Sequence, residues 1–309
     1  MADIQILDRV SCKLETEKVY GKVYLEMLYG TSLISRLISF IFLPIVSRIS
    51  FLSQFYGFLQ KRPRSRRKVK PFIEKFSVDA GEFLDPVDSF ASFNDFFIRK
   101  LKPSARPFAK GSAVAILPAD ARYLVFQEID KADGFFVKGR RFSLEHLLQS
   151  QNLAKKYDRG SMLVARLCPT DYHRFHFPCD CIPDLPRQVP GYLFSVNPIA
   201  LKRYADILAE NKRVITALHT RQFGTILYIE VGATYVGTIH QTFQAGKGYA
   251  KGDEKGYFSF GGSSLVLLFE PDHIQFDQDL IDASEKRMEV KGLLGQSLGV
   301  ARSSPLNFD

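Results

Sequence analysis

The chain has 309 residues, with 42 Lys and Arg against 33 Asp and Glu, and a formal charge of +9 at pH 7. Four cysteines at this length exclude a disulfide-built scaffold, and the length suits one large domain or two ordinary ones. Seven of the positive charges lie in residues 61–70 (KRPRSRRKVK), which hold no acid. The remaining +2 is spread over the rest of the chain, so the charge is one local patch.

Residues 1–26 are mixed and charged, with no signal-peptide pattern. Residues 27–59 are strongly apolar, interrupted by Arg36 and Arg48 and broken at Pro44. The charge-free pieces 37–47 and 49–60 are both shorter than the ~20 residues a spanning helix needs. Two apolar helical segments lying in the membrane interface are expected, with the basic run next to them facing anionic lipid. Each Lys or Arg there adds on the order of 1 kcal/mol. The alternative is a helical hairpin packed on the protein's own core, followed by a solvated linker. No aromatic residues interleave with the basic run, which argues against nucleic acid.

Residues 90–107 carry Phe93, Phe96, Phe97 and Leu101 at helical spacing, predicting an amphipathic helix ended near Pro103. Beyond residue 113 the pattern changes to short apolar runs between turn signals: 114–117, 122–129, 135–138, 161–168, 213–219, 224–231, 235–241 and 264–269. Helices are expected at 143–150 and 198–210. Strands and helices do not alternate regularly, so the fold class is α+β: a mostly antiparallel, β-rich core behind an N-terminal helical, membrane-facing segment. There is no G-x-G-x-x-G, P-loop or metal-ligand helix motif. Cys179-Asp-Cys181 lacks a second pair at zinc spacing, so reduced thiols in a turn are expected, and no metal.

The stretch 258–269 (FSFGGSSLVLLF) sets Gly261-Gly262 against Ser263-Ser264 just before an apolar run. On its own this is a glycine hinge before a buried strand. It is also a sterically open Gly-Ser peptide whose serine can attack the preceding carbonyl if a base takes its proton. The glycine-rich stretch 245–262, with Lys247, Lys251 and Lys255, is either a phosphate cradle or a mobile loop delivering that bond to a base. Candidate bases are His173 and His176 in DYHRFHFP (171–178). Three apart, they face opposite sides in a strand and one side in a helical turn; a surface turn is the plainer alternative. Asp120, between two expected strands, can orient an imidazole or cap a turn.

Six segments, in order, resemble the phosphatidylserine decarboxylase family. Residues 93–107 resemble its FNEFF-x-R-x-L-x-x-x-ARP signature, and 118–120 its PAD-G segment. DYHRFHFP is similar to DYHR-x-H-x-P, 190–197 (PGYLFSVN) to PG-x-LFSVN, 231–237 (VGATYVG) to VGA-x-x-VG, and 255–269 to the G-x-F-x-x-GST self-cleavage region. Ala121 stands where many members have glycine, Ser264 replaces a frequent threonine, and the double glycine is one residue longer than the single-glycine form. Residues 1–70 match in character only.

The resemblance implies a self-processing triad of Asp120, His176 and Ser263, with His173 serving decarboxylation. Ser263, deprotonated by His176, attacks the Gly262 carbonyl; elimination then leaves dehydroalanine, which becomes a covalent pyruvoyl group. A β chain (1–262) and an α chain (263–309) result, held together as a heterodimer whose further homo-oligomerisation is left open. The pyruvoyl group takes the amine of phosphatidylserine as a Schiff base and acts as the electron sink for loss of CO2, giving phosphatidylethanolamine. Residues 1–70 are then a membrane-association segment and 71–309 the catalytic domain, peripheral on the cytoplasmic face of the cell membrane. Two competing readings predict an uncut chain or an inactive one: a serine hydrolase using Ser263, His176 and Asp120, and a membrane-binding homologue without activity.

Overall fold

The structure is a computed structural model. It describes residues 4–17, 22–30, 32, 35, 40, 57–132, 143–201, 207–233, 239–259 and 263–302. Its strands are β1 (Gln5–Asp8), β2 (Lys13–Thr16), β3 (Val114–Ile116), β4 (Ala121–Phe126), β5 (Ser161–Leu167) and β6 (Arg174–His176). They continue with β7 (Ile182–Pro183), β8 (Arg187–Val189), β9 (Arg213–His219), β10 (Thr225–Gly232) and β11 (Ile239–Gln241). The last five are β12 (Glu254–Phe258), β13 (Ser263–Phe269), β14 (Ile274–Phe276), β15 (Glu289–Gly292) and β16 (Ser297–Ala301).

Ten of these form one large sheet in the order β2-β1-β15-β4-β5-β13-β10-β9-β7, with β8 also on β9. Its pairings are antiparallel except β1 with β15. Strands β4, β5 and β13 are buried along their whole length, which is why they read as continuous apolar runs. Alternation divides their side chains between two cores. Leu265, Leu267 and Phe269 join a cluster with Phe175, Phe177 and Phe258 from the β11-β12-β6 sheet, and with Ile274, Phe276 and Leu298 from the β14-β16-β3 sheet. Val266 and Leu268 join the opposite cluster, built with Leu147, Leu148, Leu208 and the N-terminal Leu28 and Tyr29. The large sheet is thus the middle layer, with small sheets on one face and helices on the other. The fold is α+β and mostly antiparallel.

A third cluster uses the phenylalanines near 93–107. Phe72, Phe83, Phe90, Phe93, Phe96 and Phe97 are all buried there, the first five with rings tilted or edge-on at 5.3–6.1 Å. Each such burial is worth about 1.5–3 kcal/mol. The helix in this region is shorter than expected: it runs only Phe93–Phe97, N-capped by Ser92. The chain leaves helical geometry at Ile98 because Arg99 lays its guanidinium over Phe83 and Phe96, and Leu101 bridges to Phe83.

Most expected strands fall within a residue or two of β3, β5, β9, β10 and β13. The strand at 122–129 ends earlier, at Phe126, and the one at 235–241 is described only as β11. The strand expected at 135–138 lies outside the described residues. The glycine-rich stretch is not wholly a loop, because β12 runs through it. Residues 5–16 form β1 and β2 of the large sheet. Part of the basic run is a 3-10 turn, Pro63–Lys68, in which Ser65 is buried and its hydroxyl accepts from the Phe93 N–H at 2.9 Å. Much of the expected apolar helical segment lies outside the described residues; those described include a helix, Lys22–Tyr29, and the helical residues 57–61. No helix among the described residues is long and apolar enough to cross a membrane.

Candidate functional site

Ser263 is the first residue of β13. It lies between Leu167 of β5 and Gly232 of β10, with no exposed surface. Its Oγ has no hydrogen-bond partner among the described residues. Its side chain shares the face of Leu265 and Leu267, toward the small sheet that carries the histidines. Gly262, with residues 260 and 261, lies outside the described residues.

DYHRFHFP carries the short strand β6, Arg174–His176, and the Phe258 N–H bond to the His173 carbonyl extends its ladder by one residue, so the strand alternative for the two histidines holds. β6 pairs with β12, and the Phe258 N–H donates to the His173 carbonyl at 3.0 Å, next to the connection that leads to Ser263. Phe175 and Phe177 face the large sheet. By alternation His173 takes their side of the strand and His176 the other. His173 is fully buried, its ring 3.8 Å from that of Phe97, and its Nδ1–H donates to the Asp171 carbonyl at 3.0 Å. His176 donates Nδ1–H to the Gly252 carbonyl at 2.8 Å. A carbonyl can only accept, so the neutral ring carries its lone pair on Nε2. That Nε2 is buried and has no partner among the described residues. Burial pushes the His176 pKa below the ordinary value, so the ring favours its basic form.

Asp120 closes the turn between β3 and β4 and is held by Arg106. The guanidinium places Nε 2.9 Å from Oδ1 and Nη2 2.7 Å from Oδ2, while the Leu294 N–H donates to Oδ1 at 2.9 Å. Glu82 grips the other side of Arg106 at 2.8 and 2.9 Å. Burial opposes the charge on Arg106, but the two carboxylates outweigh it and raise its pKa. No described hydrogen bond joins Asp120 to His176, or His176 to Ser263. The link between the first two is the backbone, since the His176 N–H donates to the Pro118 carbonyl at 2.8 Å. The Asp120 charge also favours protonated His176 through space. The chain therefore gathers Asp120 and His176 around one turn, and brings the His173 end of β6 to the connection that enters Ser263.

Arg106 and Gly252 were not singled out from the sequence. Their only signals were the ARP of 93–107 and a place in the glycine run. A further buried ionic cluster lies on the other face. Glu17 pairs with Arg122 and Arg166, which also hold Asp171 and Glu289 respectively. Burial alone would raise the Glu17 pKa, but the two arginines bring it down to about 2. Cys179 and Cys181 are buried free thiols, and burial pushes Cys181 up to about 12, so both stay protonated. Among the described residues no cluster of His, Cys, Asp and Glu could hold a metal ion.

The sequence model of the family described as phosphatidylserine decarboxylase matches residues 93–299. A phosphatidylserine decarboxylase proenzyme of Chlamydia pneumoniae is 48% identical over 296 residues, covering 96% of each chain. That of Chlamydia caviae is 46% identical over 299 residues, covering 97% of this chain and 98% of its own. A third, from Chlamydia muridarum, is 51% identical over 255 residues, covering 82% and 85%.

Proposed function

The chain belongs to the phosphatidylserine decarboxylase family, and on that premise we propose that it cuts itself between Gly262 and Ser263 and carries the resulting pyruvoyl group at residue 263. The family supports the coarser statement plainly: the chain is an enzyme, a phosphatidylserine decarboxylase. The single observation that carries the finer reading is the Ser263 hydroxyl, wholly buried and without a partner among the described residues, at the first residue of a core strand. A hydrolase nucleophile must meet an incoming substrate in the uncut chain, whereas the group proposed at 263 meets it only after the cut. A serine with no exposed surface is suited to attack the bond next to it.

The residues present fit such a group. Ser263 supplies it, Leu167 and Gly232 flank it, and the core strand β13 fixes the new terminus after the cut. When formed, the pyruvoyl ketone takes the substrate amine and accepts the electrons released with CO2. The chain's own residues do the rest. The family resemblance assigns the Ser263 proton to His176, whose Nε2 carries the lone pair, although alternation turns its ring to the side of β6 away from the large sheet; the Gly252 carbonyl fixes the tautomer, and Glu254 and then Asp120 favour the imidazolium by charge. His173, fully buried on the side of β6 that faces the large sheet, returns a proton to the substrate carbon after CO2 leaves. The cut yields chains 1–262 and 263–309, tied together by the pairing of β13 with β5 and β10.

Of the residues before 70, the apolar stretch after Tyr29 and the basic run serve as the membrane attachment, peripheral on the cytoplasmic face. Phe58 and Leu59 are exposed next to the basic run, and Phe40 is exposed earlier in the apolar stretch. Replacing the exposed Phe40, Phe58 and Leu59 by serine should lower sedimentation with anionic liposomes; undiminished binding would remove this segment as the anchor. For the central reading, mass measurement of the purified protein should give two chains, the smaller starting at a blocked residue 263. One intact chain ending in a free-serine enzyme that hydrolyses esters would replace the reading with the hydrolase.

A further inference from the structure

Strand β12 is irregular. His176 pairs with Glu254 and Phe175 with Gly256, leaving Lys255 with no opposite on β6. A bulge of this kind re-aims one side chain out of the strand's alternation. Here it sends Glu254 to Arg174 in a partly exposed pair and turns Lys255 into the core, where it has no exposed surface. The Lys255 ammonium donates to a Glu230 carboxylate oxygen, to Thr216 Oγ1 at 3.1 Å and to Gln241 Oε1 at 3.0 Å. It lies 4.9 Å from the Tyr228 ring centre. The second Glu230 oxygen, Oε2, is buried with no partner among the described residues, as is the Tyr228 hydroxyl.

This pair stands beside the residue that is remade. Ser263 lies opposite Gly232 and Leu265 opposite Glu230, so Glu230 is the diagonal neighbour of residue 263 on the same face. Glu230 turns Oε1 to Lys255, which also reaches Thr216 on the β9 side, and this leaves the unpartnered Oε2 for the diagonal, where Gly232 puts no side chain in the way. Arg122 and Arg166 share the row of Ser264 and occupy the opposite face.

We propose that the Glu230–Lys255 pair delivers the proton that turns the dehydroalanine at residue 263 into the keto group. The inference rests on the self-cleavage reading above and assigns a step that the histidines leave open. After elimination, residue 263 carries a CH2=C(NH2) end. Glu230, holding a proton taken from Lys255, gives it to the β carbon. The C=C electrons form the new C–H bond, and the nitrogen lone pair forms C=N. The nitrogen then releases one proton, which water returns to Lys255, so the pair ends unchanged. One water adds across C=N and ammonia leaves, giving C=O. Burial supports the exchange, because it pushes Glu230 up and Lys255 down, toward each other.

The test replaces both ionic groups by apolar ones of similar size, K255M with E230M, so that no lone charge stays buried; E230Q is the second variant, keeping the shape and removing the acid. Thermal unfolding identifies the folded protein. The expected result is normal cutting at 262–263 with a small chain whose terminus stays CH2=C(NH2), which has the composition of the keto terminus with NH in place of O. Its labelling by a hydrazide probe for ketones should rise on the order of a hundredfold more slowly than in wild type. Wild-type labelling in either folded, cut variant overturns the proposal. So does a folded variant that stays uncut, since the pair would then act on cleavage itself. An uncut wild-type chain instead overturns the self-cleavage reading, and this step with it.

Discussion

Ser263 and Ser264 are neighbours on β13, both fully buried, both with hydroxyls lacking a partner among the described residues. Alternation sends them to opposite faces of the large sheet. Ser263 looks toward Phe175 and Phe258, the histidine strand and the Glu230–Lys255 pair. Ser264 sits across from Arg166 and Val231, on the face of Val266 and Leu268. Composition does not distinguish the two serines. Register does, and a slip of one residue would exchange their surroundings.

The largest expected effect comes from Ser263→Ala. It should give a single uncut chain and no decarboxylation, read by mass and by CO2 release. Appearance of the smaller chain in this variant would break the comparison at its root.

The histidines sharpen it next. His176→Gln should slow self-cleavage by roughly 10²–10⁴-fold, the span of a placed general base, whereas His173→Gln should leave a cut chain that decarboxylates poorly. Equal effects of the two on cleavage would mean that the opposite sides of β6 do not divide the labour. The same histidine sets a pH dependence. Its folded pKa lies below the ordinary value of about 6.5, so the unfolded chain takes up a proton first as pH falls. The stability contribution of neutral His176 is therefore complete above about 6.5 and is lost as pH drops from there toward the folded value. The acid limb of self-cleavage, followed on freshly synthesised precursor, should likewise lie below about 6.5. A limb above that value would point to a different base.

Arg106 holds the turn on which Asp120 sits. Arg106→Met leaves Asp120 and Glu82 without their shared cation, a loss on the order of 3–5 kcal/mol for a buried pair. The melting temperature should fall, and cleavage should slow in the protein that remains folded. An unchanged melting temperature and unchanged cleavage would show that the Asp120 turn holds without it.

Residue pattern makes some of this visible and hides the rest. β9 and β13 stand out because their apolar runs are bounded by turn residues and buried, β13 along its whole length and β9 over most of it. β1, β2, β6 and β12 do not. QILD, KLET, RFH and EKGYF carry charges that the fold neutralises with distant partners: Lys291 for Asp8, Glu254 for Arg174, Glu230 for Lys255. Lys255 looks like a solvated loop lysine until a bulge turns it inward. Ser263, His173, His176 and Asp120 could be named as candidates because each sits in a short segment with its own signature. Arg106 and Glu82 could not, since the contacts of Arg106 with Asp120 and with Glu82 exist only once β3, β4 and the Phe93–Phe97 helix are packed.

The smallest expected effect belongs to Ser264→Ala, and it tests the register most directly. The variant removes a hydroxyl that makes no hydrogen bond among the described residues, so it gives up no bond. An unsatisfied buried polar group costs about 1–3 kcal/mol. Its removal should leave the melting temperature equal or slightly higher, with wild-type self-cleavage. If Ser264→Ala stopped cleavage while Ser263→Ala did not, the reacting side chain would be the one facing Arg166. The histidine strand would then lie on the wrong side of the sheet to serve it.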